Sequence, residues 1–234
     1  MVLFEKNPTD KQKMKEKKRL YPDSRVELTP FAEKYYDIHL DIASFGLYKP
    51  FIKKVIKSLN IQPEDRIIDF GCGTGRNACL MAKYLNSKGK IIGIDISEIM
   101  HKQFEKKCKK FPYINFFKER IDQPFNLNEK FDKVFMSFVF HGFPHEVRKI
   151  ILQNAVNHLK KGGSLNILDY SEFDIQSIPF LHRFVFNLVE GKCKYAYDFI
   201  KKEWKIILKD FGFTDIKEKY FAYKYVRLIT AYNV

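Results

Sequence analysis

Along this chain, short apolar runs alternate with longer stretches in which apolar residues recur every three or four positions. The runs predict strands at 66–70, 90–95, 113–117, 131–137 and 163–170, and the helical periodicity predicts helices at 75–86, 97–109 and 144–160. Strands that alternate with helices in this way form a mostly parallel sheet covered on both faces. Two further strands, 216–222 and 225–232, are separated only by Tyr223 and Lys224 and predict an antiparallel hairpin. Ahead of the first strand, Thr29-Pro30 reads as a cap followed by proline at the first helical position, and Phe31, Tyr35, Ile38 and Ile42 give that helix an apolar face. It is expected to end near Ser44-Phe45-Gly46. A second helix at 48–59 shows Phe51, Ile52, Val55, Ile56 and Leu59 on one side.

Residues 174–195 break the rhythm. Leu181, Phe184, Val185 and Leu188 form a helical stripe ended by Gly191, and a stripe of this kind is core packing, the wall of a pocket, or both. A last helix is expected at 198–211, with Trp204 inside it and Gly212 after it. Residues 1–28 are polar, rich in lysine and poor in periodicity, and read as a basic flexible or loosely docked arm. The remainder, 29–234, reads as one domain, with helices at 29–60 preceding the sheet and a lid and final helices at 174–212. A chain of 234 residues suits that plan.

The first strand runs into Asp69-Phe70-Gly71-Cys72-Gly73-Thr74-Gly75, and the second delivers Asp95 twenty residues after the last of these glycines. Gly71 and Gly73 permit a tight turn and let a ligand lie against bare backbone, while Asp95 is placed to accept both hydroxyls of a ribose. A dinucleotide fingerprint would put its third glycine where Arg76 stands. The spacing G-x-G-x-G therefore favours a nucleoside without a pyrophosphate. The fourth strand carries Ser137, Phe138 and, just beyond, His141 to the carboxyl edge of the sheet, where open α/β folds hold ligands. His141 is the best candidate for a general base because its intrinsic pKa lies near neutrality; a structural role in the site wall is the alternative.

Composition narrows the classes. No apolar run approaches the length of a membrane span, and the first residues lack a secretory signal, which predicts a cytoplasmic protein without a transmembrane segment. The four cysteines form neither a C-x-x-C pair nor a zinc pattern, so no metal is expected and the thiols are expected to be reduced. The net charge of +14 is spread in blocks, +5 over 11–19, +5 over 101–120 and +4 over 192–209. Such a balance fits solvated lysine faces, RNA or an anionic surface.

From about Thr29 onward the chain resembles the class I S-adenosylmethionine-dependent methyltransferases, on the strength of Gly71-Cys72-Gly73-Thr74-Gly75, Gly93-Ile94-Asp95-Ile96-Ser97 and Phe131-Asp132-Lys133-Val134. Tyr36-Asp37 and Leu168-Asp169-Tyr170-Ser171 are similar to the branch that includes the ubiquinone/menaquinone-biosynthesis C-methyltransferases. The resemblance implies a Rossmann-like, seven-stranded, mostly parallel sheet with the C-terminal antiparallel hairpin and helices on both faces. It implies S-adenosyl-L-methionine as cofactor, with Asp69 and residues 71–75 at its methionine end, Asp95 at the ribose, and Ile96, Met100 and Phe138 about the adenine. Either Glu119 or the amide of Arg120 meets the adenine amino group. Tyr36 lies on the helix that crosses the site mouth in this family, as a site residue or as packing. The implied reaction is in-line methyl transfer to a small, aromatic or apolar acceptor; transfer to RNA, or cofactor binding without catalysis, are the alternatives. The oligomeric state is left open.

Overall fold

The computed structural model describes residues 20–24, 26–191 and 193–234. Seven strands form one sheet: β1 Arg66–Phe70, β2 Lys90–Asp95, β3 Ile114–Lys118, β4 Phe131–Ser137, β5 Leu159–Tyr170, β6 Phe213–Phe221 and β7 Val226–Asn233. Their order is β3-β2-β1-β4-β5-β7-β6. The first five pair in parallel, and β7 runs antiparallel to both β5 and β6, as the hairpin pattern predicts. The chain order reverses between β1 and β4, so the carboxyl ends of these two strands open the crevice where such sheets bind ligands.

The helices are α1 Pro30–Lys34, α2 Tyr36–Ala43, α3 Tyr48–Ser58, α4 Arg76–Met81, α5 Glu98–Cys108, α6 His145–His158, α7 Phe180–Glu190, α8 Lys194–Phe199 and α9 Trp204–Asp210. Ser97 caps α5 by accepting from the Met100 amide at 3.2 Å. Two apolar layers result. One, on Ile67, Ile91 and Phe135, is closed by Ile52, Val55 and Ile56 of α3 and by Phe104 of α5; the other, on Ile68, Phe70 and Val134, is closed by α6, α8 and α9 around Trp204.

Several elements differ from the sequence reading. The helix begun at Pro30 breaks at Tyr35, whose ψ of 17° ends α1 before α2 starts. Its expected core face is exposed instead: Phe31, Ile38 and Ile42 all lie mostly in solvent. The stripe Leu181, Phe184, Val185 and Leu188 likewise faces outward, and α7 buries Phe186 and Glu190 on its other side. The helix at 198–211 is two, because the chain turns at Ile200–Glu203 and places Trp204 at the first position of α9. The helix expected over 144–160 ends earlier, at His158. β5 begins at once, and the register with β4 shifts between Phe131 and Lys133 while Gly162 adopts a positive φ.

The cysteine reading is also corrected. Cys79 of α4 and Cys108 of α5 are joined in a disulfide, with Cys72 and Cys193 free and buried. Helices that follow neighbouring parallel strands lie side by side, so residues 29 apart in sequence meet, which spacing rules for short motifs do not detect.

At Gly75, φ is +76° and a Cβ would sit 2.7 Å from the Phe104 ring, whereas Gly73, at φ +53°, has open space. Gly75→Ala is therefore expected to cost about 2–4 kcal/mol in denaturant unfolding, and Gly73→Ala only the left-handed penalty of about 1–2 kcal/mol. Equal costs at both positions would show that the close packing of α5 on the turn is unimportant.

Candidate functional site

The glycine turn is held by the end of β2. The Ile94 carbonyl accepts the Gly71 and Cys72 amides at 2.8 and 3.0 Å, and the Asp95 carboxylate accepts the Gly73 amide at 2.9 Å and the Ser97 amide at 3.0 Å. An ionised carboxylate has about four acceptor positions, so these amides leave capacity for a ligand. Burial raises the pKa of Asp95, and these backbone donors work against that rise. Asp69 is fully enclosed one strand away; burial, and then the nearby Asp95, push its pKa well above the usual carboxylate range. Its Oδ2 has no hydrogen-bond partner. A buried carboxyl oxygen without a donor, beside a turn of left-handed glycines, suits a cationic or amine-bearing ligand.

Above the turn lies an open cleft of about 740 Å³, whose lining includes Tyr36, Gly71, Cys72, Gly73, Asp95, Met100, Ser137 and Phe138. A second lobe of about 440 Å³ shares Gly71 and Asp95 with it and adds Ile96, Glu119, Ile121 and Asp122. Eight of the predicted site residues thus line the larger lobe, and Ile96 and Glu119 the smaller. Asp69, Gly75, Arg120 and His141 line neither. Arg120 turns its guanidinium onto Asp122 at 2.5 and 3.0 Å, and its amide donates to the Glu119 carboxylate at 2.8 Å. Of the two adenine partners expected, Glu119 is therefore the one that faces the lobe.

The segment before α1 forms part of the wall. Tyr21 donates to Asp122 at 2.5 Å, Ser24 donates to the Gly142 carbonyl, and Val26 borders both lobes. Residues 1–19 of the expected arm lie outside the described residues.

α2 is clasped to the glycine turn by charge. Arg76 reaches Asp41 with two bonds of 2.7 and 3.0 Å and approaches Asp37 at 3.3 Å, while Lys107 pairs with Asp37 and donates to Thr74 at 2.8 Å. This arrangement holds Tyr36 over the cleft, and burial followed by the charge of Asp37 raises the Tyr36 pKa. The residue that breaks the dinucleotide fingerprint, Arg76, thus anchors the helix over the mouth.

Just after β4, Phe138 has a positive φ of 51°, an uncommon backbone for an aromatic residue, and lines the cleft wall. Beyond it a 3-10 turn, Phe140–Gly142, buries His141. His141 Nδ1 is 2.7 Å from Asp169, and Nε2 is 3.6 Å from Glu190. Tyr170 donates to the same Glu190 oxygen at 2.9 Å, and its ring lies between His141 and Phe138. Burial pushes the imidazole down, but Asp169 and then Glu190 outweigh it and lift its pKa to about 10. At neutral pH His141 is a cation and has no free lone pair, so the base role read from its intrinsic pKa does not fit. Arg148, fully buried, fixes the turn by donating to the carbonyls of Phe140 at 3.2 Å and His141 at 2.9 Å and pairing with Asp198 at 2.7 Å.

Sequence reasoning missed Glu190, Asp122, Asp41 and Arg148. Glu190 carried a weak signal, as a lone acid on an apolar helix; the others mark themselves only through contacts distant in sequence.

The raised pKa of His141 gives a stability profile. The folded state keeps a proton that the unfolded state loses near pH 6.5, so this contribution is full below 6.5 and fades as pH rises to about 10. Thermal melts of wild type and His141→Asn are expected to differ most near neutrality or below and to converge toward pH 10. A gap independent of pH would show that His141 is neutral in the fold.

The comparisons with known proteins agree with this geometry. Residues 67–163 match the family model described as "Methyltransferase domain". The chain is 30% identical over 184 residues to the ubiquinone/menaquinone biosynthesis C-methyltransferase UbiE of Wigglesworthia glossinidia brevipalpis, covering 73% of this chain and 72% of that one. It is 30% identical over 204 residues to the demethylmenaquinone methyltransferase of Staphylococcus carnosus, covering 80% and 83%. In structure it is similar to a SAM dependent methyltransferase from Aquifex aeolicus, with a TM-score of 0.64 and 21% identity over 89% of this chain and all of that one. With the fold, the glycine turn and Asp95 in place, the chain belongs to the class I S-adenosylmethionine-dependent methyltransferases.

Proposed function

We propose that this protein transfers a methyl group from S-adenosylmethionine to a carbon of a small aromatic acceptor bearing an ionisable hydroxyl, of the quinol kind. The observation that carries this reading is the aromatic lining of the cleft, Tyr36 and Phe138, with Tyr170 packed on Phe138 at 6.0 Å and the Glu190–His141–Asp169 charges behind it. An aromatic ring fits between such side chains, and the names of the two curated relatives point to the same acceptor class.

In this reading Asp95 takes the ribose hydroxyls, Glu119 faces the adenine, and Asp69 and the glycine turn take the methionine end. The cofactor, when bound, supplies an electrophilic methyl on a sulfonium, which needs no activation by the protein. What the chain contributes is placement, exclusion of water and removal of one proton. Tyr36 and Phe138 hold the acceptor, with α2 as cover. Glu190 is the proposed base: its Oε2 is buried without a partner, its Oε1 is held by Tyr170, and its charge reaches Tyr36. His141 stands between the two carboxylates, with Nε2 toward Glu190 and Nδ1 on Asp169, which fixes the ring.

Calorimetric titration with S-adenosylmethionine is expected to show binding that Asp95→Ala weakens about a hundredfold, the loss of roughly two charge-assisted hydrogen bonds at about 1.5 kcal/mol each. Glu190→Gln is expected to leave that affinity unchanged and to lower kcat about 100-fold or more in label transfer to a quinol acceptor. No cofactor binding by the wild type would remove the whole reading. Binding with transfer only to RNA would remove the acceptor and keep the chemistry.

A further inference from the structure

Two helical faces next to the cleft, one on α2, which lines it through Tyr36 and Leu40, and one on α7, whose Phe186 packs on Tyr170 behind Phe138, carry apolar side chains that no part of the described fold covers. On one side stand Phe31, Ile38, Ile42, Phe45 and Leu47, all more than half exposed, along α1, α2 and the turn into α3. On the other, α7 presents Phe180, Leu181, Phe184, Val185 and Leu188, also at least half exposed, with Phe180 at 73%. The two sides are joined. Phe51 of α3 packs on Phe221 at 5.4 Å, the turn after Phe221 carries Tyr223 against His182 of α7 at 5.3 Å, and Glu190 at the end of α7 acts electrostatically on Tyr36 of α2. A surface patch of this extent on a soluble chain marks contact with another phase or partner.

Two of these side chains are displayed at a conformational cost. Phe45 has a φ of 49° and is 92% exposed, and Tyr223, 84% exposed, sits in a run of three non-glycine residues with positive φ, Ala222–Lys224. Backbone strain of this kind, on residues that bury nothing in the free protein, is kept where it serves a contact.

Charge says which contact. The solvent face of α3, beside Phe45 and Leu47, carries Lys49, Lys53, Lys54 and Lys57 and no acid, and Lys224 stands next to Tyr223. None of these ammonium groups has an ion pair among the described residues, within a chain of net charge +14. A second copy docked on the same face about a two-fold axis would set these lysines against one another. Apolar side chains with lysines at their margin instead match a lipid bilayer with anionic headgroups.

We infer that these faces dock on an anionic membrane surface, with the cleft mouth against the bilayer, so that an apolar acceptor enters from the lipid. The docking rests on the exposed surface alone, and only the identity of what enters rests on the proposed function. The full chain would be sedimented with vesicles of phosphatidylcholine and of phosphatidylcholine mixed with phosphatidylglycerol. Pelleting with the anionic vesicles, weakened by salt, is expected. The pair Leu181→Asp and Phe184→Asp should lower it at least about tenfold, and Lys53→Glu with Lys54→Glu also, at about fivefold for each lysine lost. Melting temperature and S-adenosylmethionine affinity of these surface variants should match wild type.

No association with anionic vesicles, equal association of the aspartate variant, or a dimer of the free protein dissolved by the same aspartates would overturn the inference. Wild type that pellets without binding the cofactor would remove the methyltransferase reading and leave the docking surface standing. Wild type that binds the cofactor but stays in solution with the anionic vesicles removes the docking surface only.

Discussion

One carbonyl and one carboxylate at the end of β2 hold the site together. By taking the amides of residues 71, 72 and 73, Ile94 and Asp95 fix a turn whose glycines would otherwise have the greatest backbone freedom in the chain. Everything that faces the cleft is measured from that turn. α4 leaves it in one direction, β1 enters it from the other, and α2 is clamped to it through Arg76. The cost is two buried carboxyls, Asp69 and Asp95, on adjacent strands. Burial raises the pKa of both, and the charge of Asp95 raises that of Asp69 further, an electrostatic cost that a cationic ligand relieves.

The same logic explains the second group of charges. His141, Asp169 and Glu190 are buried together against Tyr170, where a single missing partner would leave an uncompensated charge. The backbone amides of His141 and Tyr170 both donate to Asp169, at 3.0 and 2.8 Å, and Arg148 grips the turn that carries the imidazole. The cluster is therefore a rigid, oriented charge pattern and not a set of mobile side chains. It lies just beyond β4, across the topological switch from the glycine turn at the end of β1.

What the sequence disclosed divides along physical lines. The strands from Arg66 to Ser137 and the glycine turn were legible because they depend on local backbone demands and a period of two or of 3.6. The N-terminal helix was legible as a helix, but its face was not. Periodicity at Phe31, Ile38 and Ile42 says that one side is apolar, and says nothing about whether the protein itself covers it. The same holds for Leu181 to Leu188. His141 was found from its position at the end of a strand, yet its ionisation depends on Asp169 and Glu190, which lie 28 and 49 residues away. The split of 198–211 into two helices turns on Trp204, whose buried indole donates to the Phe199 carbonyl at 3.0 Å, a side-chain-to-backbone contact that apolar periodicity does not register.

Gly93 sits in the middle of β2 with no special backbone requirement, and a Cβ there would come within 2.6 Å of the Phe104 ring and 2.7 Å of Cys72. The space of one missing side chain is filled by an aromatic ring from α5, which also closes over Gly75. These four positions form a single steric unit. A larger residue at 93 has room only if 104 shrinks, and a smaller residue at 104 leaves a void beneath the glycine turn. Gly93 and Phe104 are thereby sterically coupled, so that a change at either is tolerated only with a compensating change at the other, although neither lines the cleft.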